Sequence, residues 1–372
     1  MYHDVVPAKL PPRLADVKLL TKAGVRGAPG VDDAQALLAV TLRRDGVHGR
    51  VLDLQAMSGL VAAALEGDAE VTLVERSCAA LTVLRRQFGD VRAALPGDGV
   101  GVFDTVALVL QGDRGNAFVD AMLAWATACT SDGGVLYLAG DKQKGFERYF
   151  KRVRDALGSG EVIARDGGMR VARLEKRVTD GAADGSAQTL DVPESGSYRH
   201  EGVTVVGVPG VFSAGSLDRA TSLFLPFVGD VHGKRVLDIG CGAGVIGATA
   251  SRLGADVVLL DDDLGAVRSS RLTLAASELR GDVRHSDVAS ELHVGERFDV
   301  VLSNPPFHVG KRVVLDVALE FVRAAAERLV PGGSLRLVAN DFLPYEDAMR
   351  HVGSVQELVR GGGFKVLQAT RN

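Results

Sequence analysis

Arg235-Val236-Leu237-Asp238-Ile239-Gly240-Cys241-Gly242-Ala243-Gly244 is an apolar run of strand length that passes straight into three alternating glycines. Aliphatic residues in a short unbroken run read as a buried strand. Glycines let the backbone turn tightly and approach a ligand with no Cβ in the way. A helical segment follows, and then a second apolar run, Asp256-Val257-Val258-Leu259-Leu260, ends in Asp261-Asp262-Asp263. Strand, glycine turn, helix and acid-tipped strand are the parts of a doubly wound α/β unit. A carboxylate roughly twenty residues past the glycines is the spacing that grips ribose hydroxyls. The turn spells G-x-G-x-G and lacks the G-x-x-G step that sets a helix amino terminus on a pyrophosphate, which favours a ligand without phosphates. Taken alone, the turn leaves a nicotinamide dinucleotide and S-adenosylmethionine both open.

Downstream, Phe298-Asp299-Val300-Val301-Leu302 is another buried-strand run, closed by Ser303-Asn304-Pro305-Pro306-Phe307-His308. Two prolines force the strand to stop. An asparagine side chain, a proline carbonyl and an aromatic ring are thereby held at the carboxyl end of a sheet, where open α/β sheets bind ligands. The chemistry suits a planar amine on an sp2 carbon. The Asn304 side-chain oxygen and the Pro305 carbonyl can each accept one N–H, and Phe307 can stack on the ring that bears the amine. Coupled to the glycine turn, this predicts S-adenosylmethionine-dependent methyl transfer to an amine, with Asn304, Pro305 and Phe307 as the catalytic group. Asparagine takes up no proton, so no general base is expected.

A chain of 372 residues is long for one domain and comfortable for two. No apolar run approaches the length of a membrane span. Met1-Tyr2-His3-Asp4-Val5-Val6-Pro7 has neither a basic start nor an apolar core, so no signal peptide is expected. Cys78, Cys129 and Cys241 form no metal-ligand spacing and no disulfide framework. The expectation is a cytoplasmic protein with no metal and no membrane partner. Lys and Arg number 24 against 24 Asp and Glu through Leu190, and 19 against 23 after it. Neither half carries the bulk positive charge of a non-specific nucleic-acid binder, so any RNA contact must use local basic surface. Lys311 and Arg312 lie just past the Asn-Pro-Pro loop. Lys142, Lys144, Arg148, Lys151, Arg152 and Arg154 form a second run.

The same unit is written twice. Arg50-Val51-Leu52-Asp53-Leu54-Gln55-Ala56-Met57-Ser58-Gly59 overlays Arg235–Gly244. Val71-Thr72-Leu73-Val74 ends in Glu75 as the later strand ends in Asp261. Phe103-Asp104 and its strand parallel Phe298-Asp299, and Asp132-Gly133-Gly134 parallels Pro331-Gly332-Gly333. The copies differ where chemistry would sit. Gln55 and Met57 stand for Gly240 and Gly242, and Val109-Leu110-Gln111 stands for Asn304-Pro305-Pro306. The expected architecture is two tandem Rossmann-like domains with doubly wound, mostly parallel sheets. Residues 1–178 form a degenerate copy for substrate binding or support, 179–197 a linker rich in small and polar residues, and 198–372 the catalytic copy. Two fused copies lessen the need for a second chain, and a monomer is expected.

Gly210-Val211-Phe212-Ser213, the Asp238–Gly244 turn, Asn304-Pro305-Pro306-Phe307-His308, Val338-Ala339-Asn340-Asp341-Phe342-Leu343-Pro344-Tyr345 and Phe364-Lys365-Val366 together resemble the two-domain ribosomal RNA guanine-N2 methyltransferases of the RsmC/RlmG type. The resemblance is close over residues 200–372 and looser through Ala139–Gly145. It implies a class I methyltransferase fold with S-adenosylmethionine at Asp238, Gly240, Gly242 and Gly244. It also implies Asp261 and Asp262 at the ribose, Ser286 and Asp287 near the adenine amine, and Asn304 bordering both cofactor and base. Pro306, His308, Lys311, Arg312, Lys142 and Lys144 are the expected RNA contacts, the four basic ones from their place in the two basic runs. One departure is Leu367, where family members often carry tyrosine. The implied substrate is ribosomal RNA or the small ribosomal subunit.

Two other readings share these motifs. The Asn-Pro-Pro-Phe element is also found in adenine-N6 and glutamine-N5 methyltransferases. A catalytically inactive RNA-binding assembly factor is the non-enzyme alternative, which the intact second copy disfavours.

Overall fold

The structure is a computed structural model that describes residues 1–178, 190, 196–306 and 311–372, and the side chains of all of these but 311–316. Most of the stretch expected as a linker falls outside the described residues, as do Phe307 and His308. The chain divides into two compact units, residues 3–193 and residues 194–372, with Tyr2 grouped in the second.

In the first unit, short strands β1 (Val6–Pro7) and β2 (Leu20–Thr21) pair ahead of helix α1 (Asp33–Arg44). Asp32 starts that helix by accepting the amides of Ala34 and Gln35. There follow β3 (Gly49–Asp53), α2 (Leu60–Ala64), β4 (Ala69–Glu75), α3 (Cys78–Phe88), β5 (Arg92–Ala93) and β6 (Phe103–Val109). The unit closes with α4 (Asn116–Cys129), β7 (Thr130–Asp141), α5 (Phe146–Leu157), β8 (Gly158–Asp166) and β9 (Met169–Lys176). The sheet runs β5-β4-β3-β6-β7-β9-β8.

The second unit opens with a hairpin of β10 (Gly196–His200) and β11 (Val203–Gly207), whose first strand starts two residues before the expected domain start. Then come α6 (Arg219–Phe224), β12 (Arg235–Ile239), α7 (Val245–Arg252), β13 (Asp256–Asp261), α8 (Leu264–Ala276), β14 (Asp282–His285) and β15 (Phe298–Ser303). Helix α9 (Lys311–Arg328), β16 (Leu329–Asn340), α10 (Tyr345–Met349), β17 (Gly353–Gly361) and β18 (Phe364–Arg371) complete it. This sheet runs β14-β13-β12-β15-β16-β18-β17, the same order as the first. Even the irregularities repeat. A register shift lies between Phe103 and Thr105 and again between Phe298 and Val300. A second pair lies between Val162 and Ala164 and between Glu357 and Val359.

The central strands are mostly apolar because helices cover both faces. Val236 packs in one core cluster and its neighbour Leu237 in the other, as the two-residue period of a strand requires. After β12 the chain winds through β13 to β14, then returns to place β15 on the other side of β12. That reversal opens a crevice at the carboxyl ends of β12 and β15, where such sheets take ligands.

Candidate active site

Strand register assembles the site. Ile239 pairs with Leu260 on one side and with Ser303 on the other. The residues that follow these three, Gly240, Asp261 and Asn304, therefore stand in one row along the carboxyl edge. The Ser303 hydroxyl donates to the Ile239 carbonyl at 2.8 Å, tying the two motifs together at their roots. The sequence reading gave Ser303 no role; a serine at a strand end carries no motif of its own.

All three glycines of the turn are left-handed, with φ of +75° at Gly240, +56° at Gly242 and +84° at Gly244. A Cβ on Gly244 would press on Ser270 at 2.8 to 3.0 Å, and one on Gly240 would meet the Phe321 ring at 3.0 Å. Gly242 differs, since its nearest neighbour would be the Phe212 carbonyl oxygen at 3.7 Å, and the space above it is open. Asp261 Oδ2 accepts the Gly242 amide at 2.9 Å, and Oδ1 accepts the Asp263 amide at the same distance. The carboxylate expected at the ribose thus also clamps the turn. Asp238 is fully buried and accepts the Gly247 amide at 2.9 Å, holding the start of α7. Burial, with the charge of Asp261 nearby, pushes its carboxyl up to about 7.

At the far end of the row, Ser286 is wholly buried and spends its hydroxyl on the Val288 carbonyl and the Glu291 amide. It shapes the loop that presents Asp287. Asp287 is buried and its Oδ1 accepts the Tyr2 hydroxyl at 2.8 Å, a partner the sequence reading missed. Asp262 is half-buried, its carbonyl oxygen 2.8 Å from His285 Nε2. Cys241 lies buried against Ser270, and burial drives its thiol well above the usual range, consistent with no nucleophilic role. Among the described residues no cluster of His, Cys, Asp or Glu could hold a metal ion.

Asn304 is the central polar group. Its Nδ2 donates to Thr221 Oγ1 at 2.9 Å, while its Oδ1 is buried and has no hydrogen-bond partner among the described residues. A buried amide oxygen left without a donor is costly unless a ligand satisfies it. Pro305 is buried and Pro306 exposed. Lys311 and Arg312 open α9, and their side chains fall outside those described. Lys142 and Lys144 belong to the first unit, exposed on a short turn; Lys144 Nζ lies 3.8 Å from Asp113 Oδ1.

The first unit shows the same frame with its pocket filled. Met57 repeats the left-handed turn at φ +51°, and Glu75 Oε2 accepts its amide at 2.7 Å, as Asp261 accepts that of Gly242. The Met57 side chain is buried in the core, Gln55 is buried beside it, and Leu110 packs in the core at the place of Pro305.

An open glycine turn, acidic groups beyond it and an unsatisfied amide acceptor at a strand reversal fit S-adenosylmethionine, and the fold and site define a class I S-adenosylmethionine-dependent methyltransferase. The Methyltransferase small domain family matches residues 202–368. The ribosomal RNA small subunit methyltransferase C of Pseudomonas aeruginosa (strain LESB58) is 37% identical over 277 residues, covering 73% of this chain and 80% of its own length. That of Hahella chejuensis is 32% identical over 340 residues, 88% of this chain and 96% of its own. Among solved structures, a 16S rRNA N2 guanine methyltransferase (RsmC) of T. thermophilus, in complex with AdoMet and guanosine, superposes with a TM-score of 0.88. It is 40% identical and covers 100% of this chain and 99% of its own. The chain belongs to the ribosomal RNA small subunit methyltransferase C family.

Proposed function

We propose that this protein transfers a methyl group from S-adenosylmethionine to the exocyclic N2 of a guanosine in 16S ribosomal RNA. The relatives' activity and the guanosine bound to the similar structure favour guanine over adenine or glutamine as acceptor. The observation that carries the reading is the buried Asn304 Oδ1, without a partner among the described residues and in line with the glycine turn.

Gly240, Gly242 and Gly244 would cradle the cofactor, with Asp261 and Asp262 at its ribose and Asp287 at its adenine amine. The cofactor supplies an electrophilic methyl on a sulfonium. Asn304 Oδ1 and the Pro305 carbonyl accept the two N–H groups of the guanine amine, orienting its lone pair and favouring a more tetrahedral nitrogen. Phe307 stacks on the base, with Pro306 and His308 beside it. No residue needs to take the proton, since the methylated amine can lose it to water. Catalysis is then mostly alignment, an effect worth about 7–11 kcal/mol in favourable cases. The first unit, its pocket filled, supports the second and offers Lys142 and Lys144 to RNA phosphates, as Lys311 and Arg312 do beside the site. Work on ribosomal RNA calls for the cytoplasm, and one chain carrying both copies acts as a monomer. No described helix is long and apolar enough to cross a membrane.

Asn304→Ala should leave S-adenosylmethionine affinity nearly unchanged and cut turnover on unmethylated small-subunit RNA by orders of magnitude. Mass analysis of the product nucleosides should show N2-methylguanosine. Wild-type turnover in the variant, or methyladenosine as product, would overturn the reading.

A further inference from the structure

A side-chain amide is nearly symmetric in shape and opposite in chemistry at its two ends, and its terminal torsion is broad and roughly two-fold. Asn304 can serve as acceptor for an amine only if its oxygen, not its NH2, faces the substrate. Turned round, it would set N–H against N–H. Something must hold the amide in place.

The structure places one group where it does so. Helix α6 is short and firmly started: Asp218 Oδ1 accepts the amides of Ala220 and Thr221 at 2.9 and 3.0 Å. The Ser213 hydroxyl donates to Asp218 Oδ2 at 3.1 Å, fixing the cap to the loop before it. Thr221 is thereby held buried, 3% exposed, with Oγ1 receiving Asn304 Nδ2 at 2.9 Å. The same bond leaves Asn304 Oδ1 as the end with no partner among the described residues. Thr221 stands 83 residues away from Asn304 in the chain and forms no part of the Asn-Pro-Pro motif.

We infer that Thr221 is a positioning residue that anchors the Asn304 amide by its Nδ2 end, leaving its oxygen to the target amine. The inference rests on the proposed role of Asn304, and the Ser213–Asp218–Thr221 relay makes the loop before α6 part of the catalytic frame. Thr221→Val keeps the shape and removes the oxygen that accepts Asn304 Nδ2. Thr221→Ser keeps that oxygen with less bulk.

The test compares these variants, Thr221→Ala and Asn304→Ala in one assay of labelled methyl transfer to unmethylated small-subunit RNA. Thr221→Val and Thr221→Ala should lower kcat by about 10- to 100-fold, the effect of one misplaced hydrogen bond. Their KM for both S-adenosylmethionine and RNA should stay within about twofold of wild type, the pattern of an interaction felt at the reaction step rather than in uniform binding. Thr221→Ser should restore most of kcat. Wild-type kcat in Thr221→Val beside an inactive Asn304→Ala would overturn the positioning role and leave the reading of Asn304 standing. Equal losses in Val, Ala and Ser variants would overturn it too, by assigning the effect to packing. Full turnover in Asn304→Ala would overturn the reading beneath it.

Discussion

Gly242 and Met57 occupy the same turn with nearly the same backbone, φ +56° and +51°. An L-residue held in that region costs roughly 1–2 kcal/mol. The first copy tolerates the strain because Met57 buries its side chain in the core and gives its amide to Glu75. The fold therefore does not need glycine at this position; under the proposed function, the ligand does. Gly242→Met should rebuild the first copy's filled pocket in the second. Calorimetric affinity for S-adenosylmethionine should fall by at least about 100-fold, while the melting temperature should drop by only a few degrees. Tight cofactor binding by that variant would mean the open space above Gly242 is not where the ligand lies.

The placement of the loop that reaches this turn is settled between elements. Strand β11 lies along α8, and the exposed edge of its backbone meets three hydroxyls spaced four residues apart. The amides of Thr204, Val206 and Val208 donate to Ser277 Oγ, Thr273 Oγ1 and Ser269 Oγ at 2.9, 2.9 and 3.0 Å. Residues at that spacing share one helix face, so a single stripe satisfies an edge strand that would otherwise seek another chain. Thr273 does more, because its hydroxyl also donates to the Ala243 carbonyl of the glycine turn at 2.7 Å. Thr273→Val should strand a half-buried amide and a buried carbonyl, costing about 1–3 kcal/mol and lowering the melting temperature of the second unit by several degrees in a thermal scan. An unchanged melt would show that the hydroxyl ladder carries no weight. None of this was legible in the sequence, where hydroxyl residues on a helix read as its solvent face. By contrast, the β12 turn and the Asn-Pro-Pro stop were legible, since strand termination and left-handed turns depend on local chemistry alone. Thr221, Ser303 and Tyr2 escaped notice because each acts through a partner distant in the chain.

Over the whole molecule, duplication was legible because strand-forming segments repeat in order, and the matched strand orders and register shifts show the repeat reaching into irregular detail. It reaches into charge as well. Asp53 and Asp238, at the same place in the two copies, are both fully buried, and burial raises each carboxyl to about 7, with Glu75 and Asp261 adding in the same direction. Each therefore binds its proton more tightly in the folded chain than in the unfolded one, where the ordinary value is 3.8. The stabilising contribution is whole below that ordinary value and is lost as pH rises from there to about 7, after which it is flat. Asp238 accepts the Gly247 amide just behind the glycine turn, so the clean probe is its counterpart. Asp53→Asn keeps the shape and stays neutral at every pH. The difference in melting temperature between Asp53→Asn and the natural protein should shift in favour of the variant as pH is raised from about 5 to about 8, by a few degrees, because only the natural carboxyl must ionise in an apolar interior. A difference independent of pH would mean that Asp53 keeps an ordinary carboxylate pKa, and that the buried acid shared by both copies is not held in its neutral form.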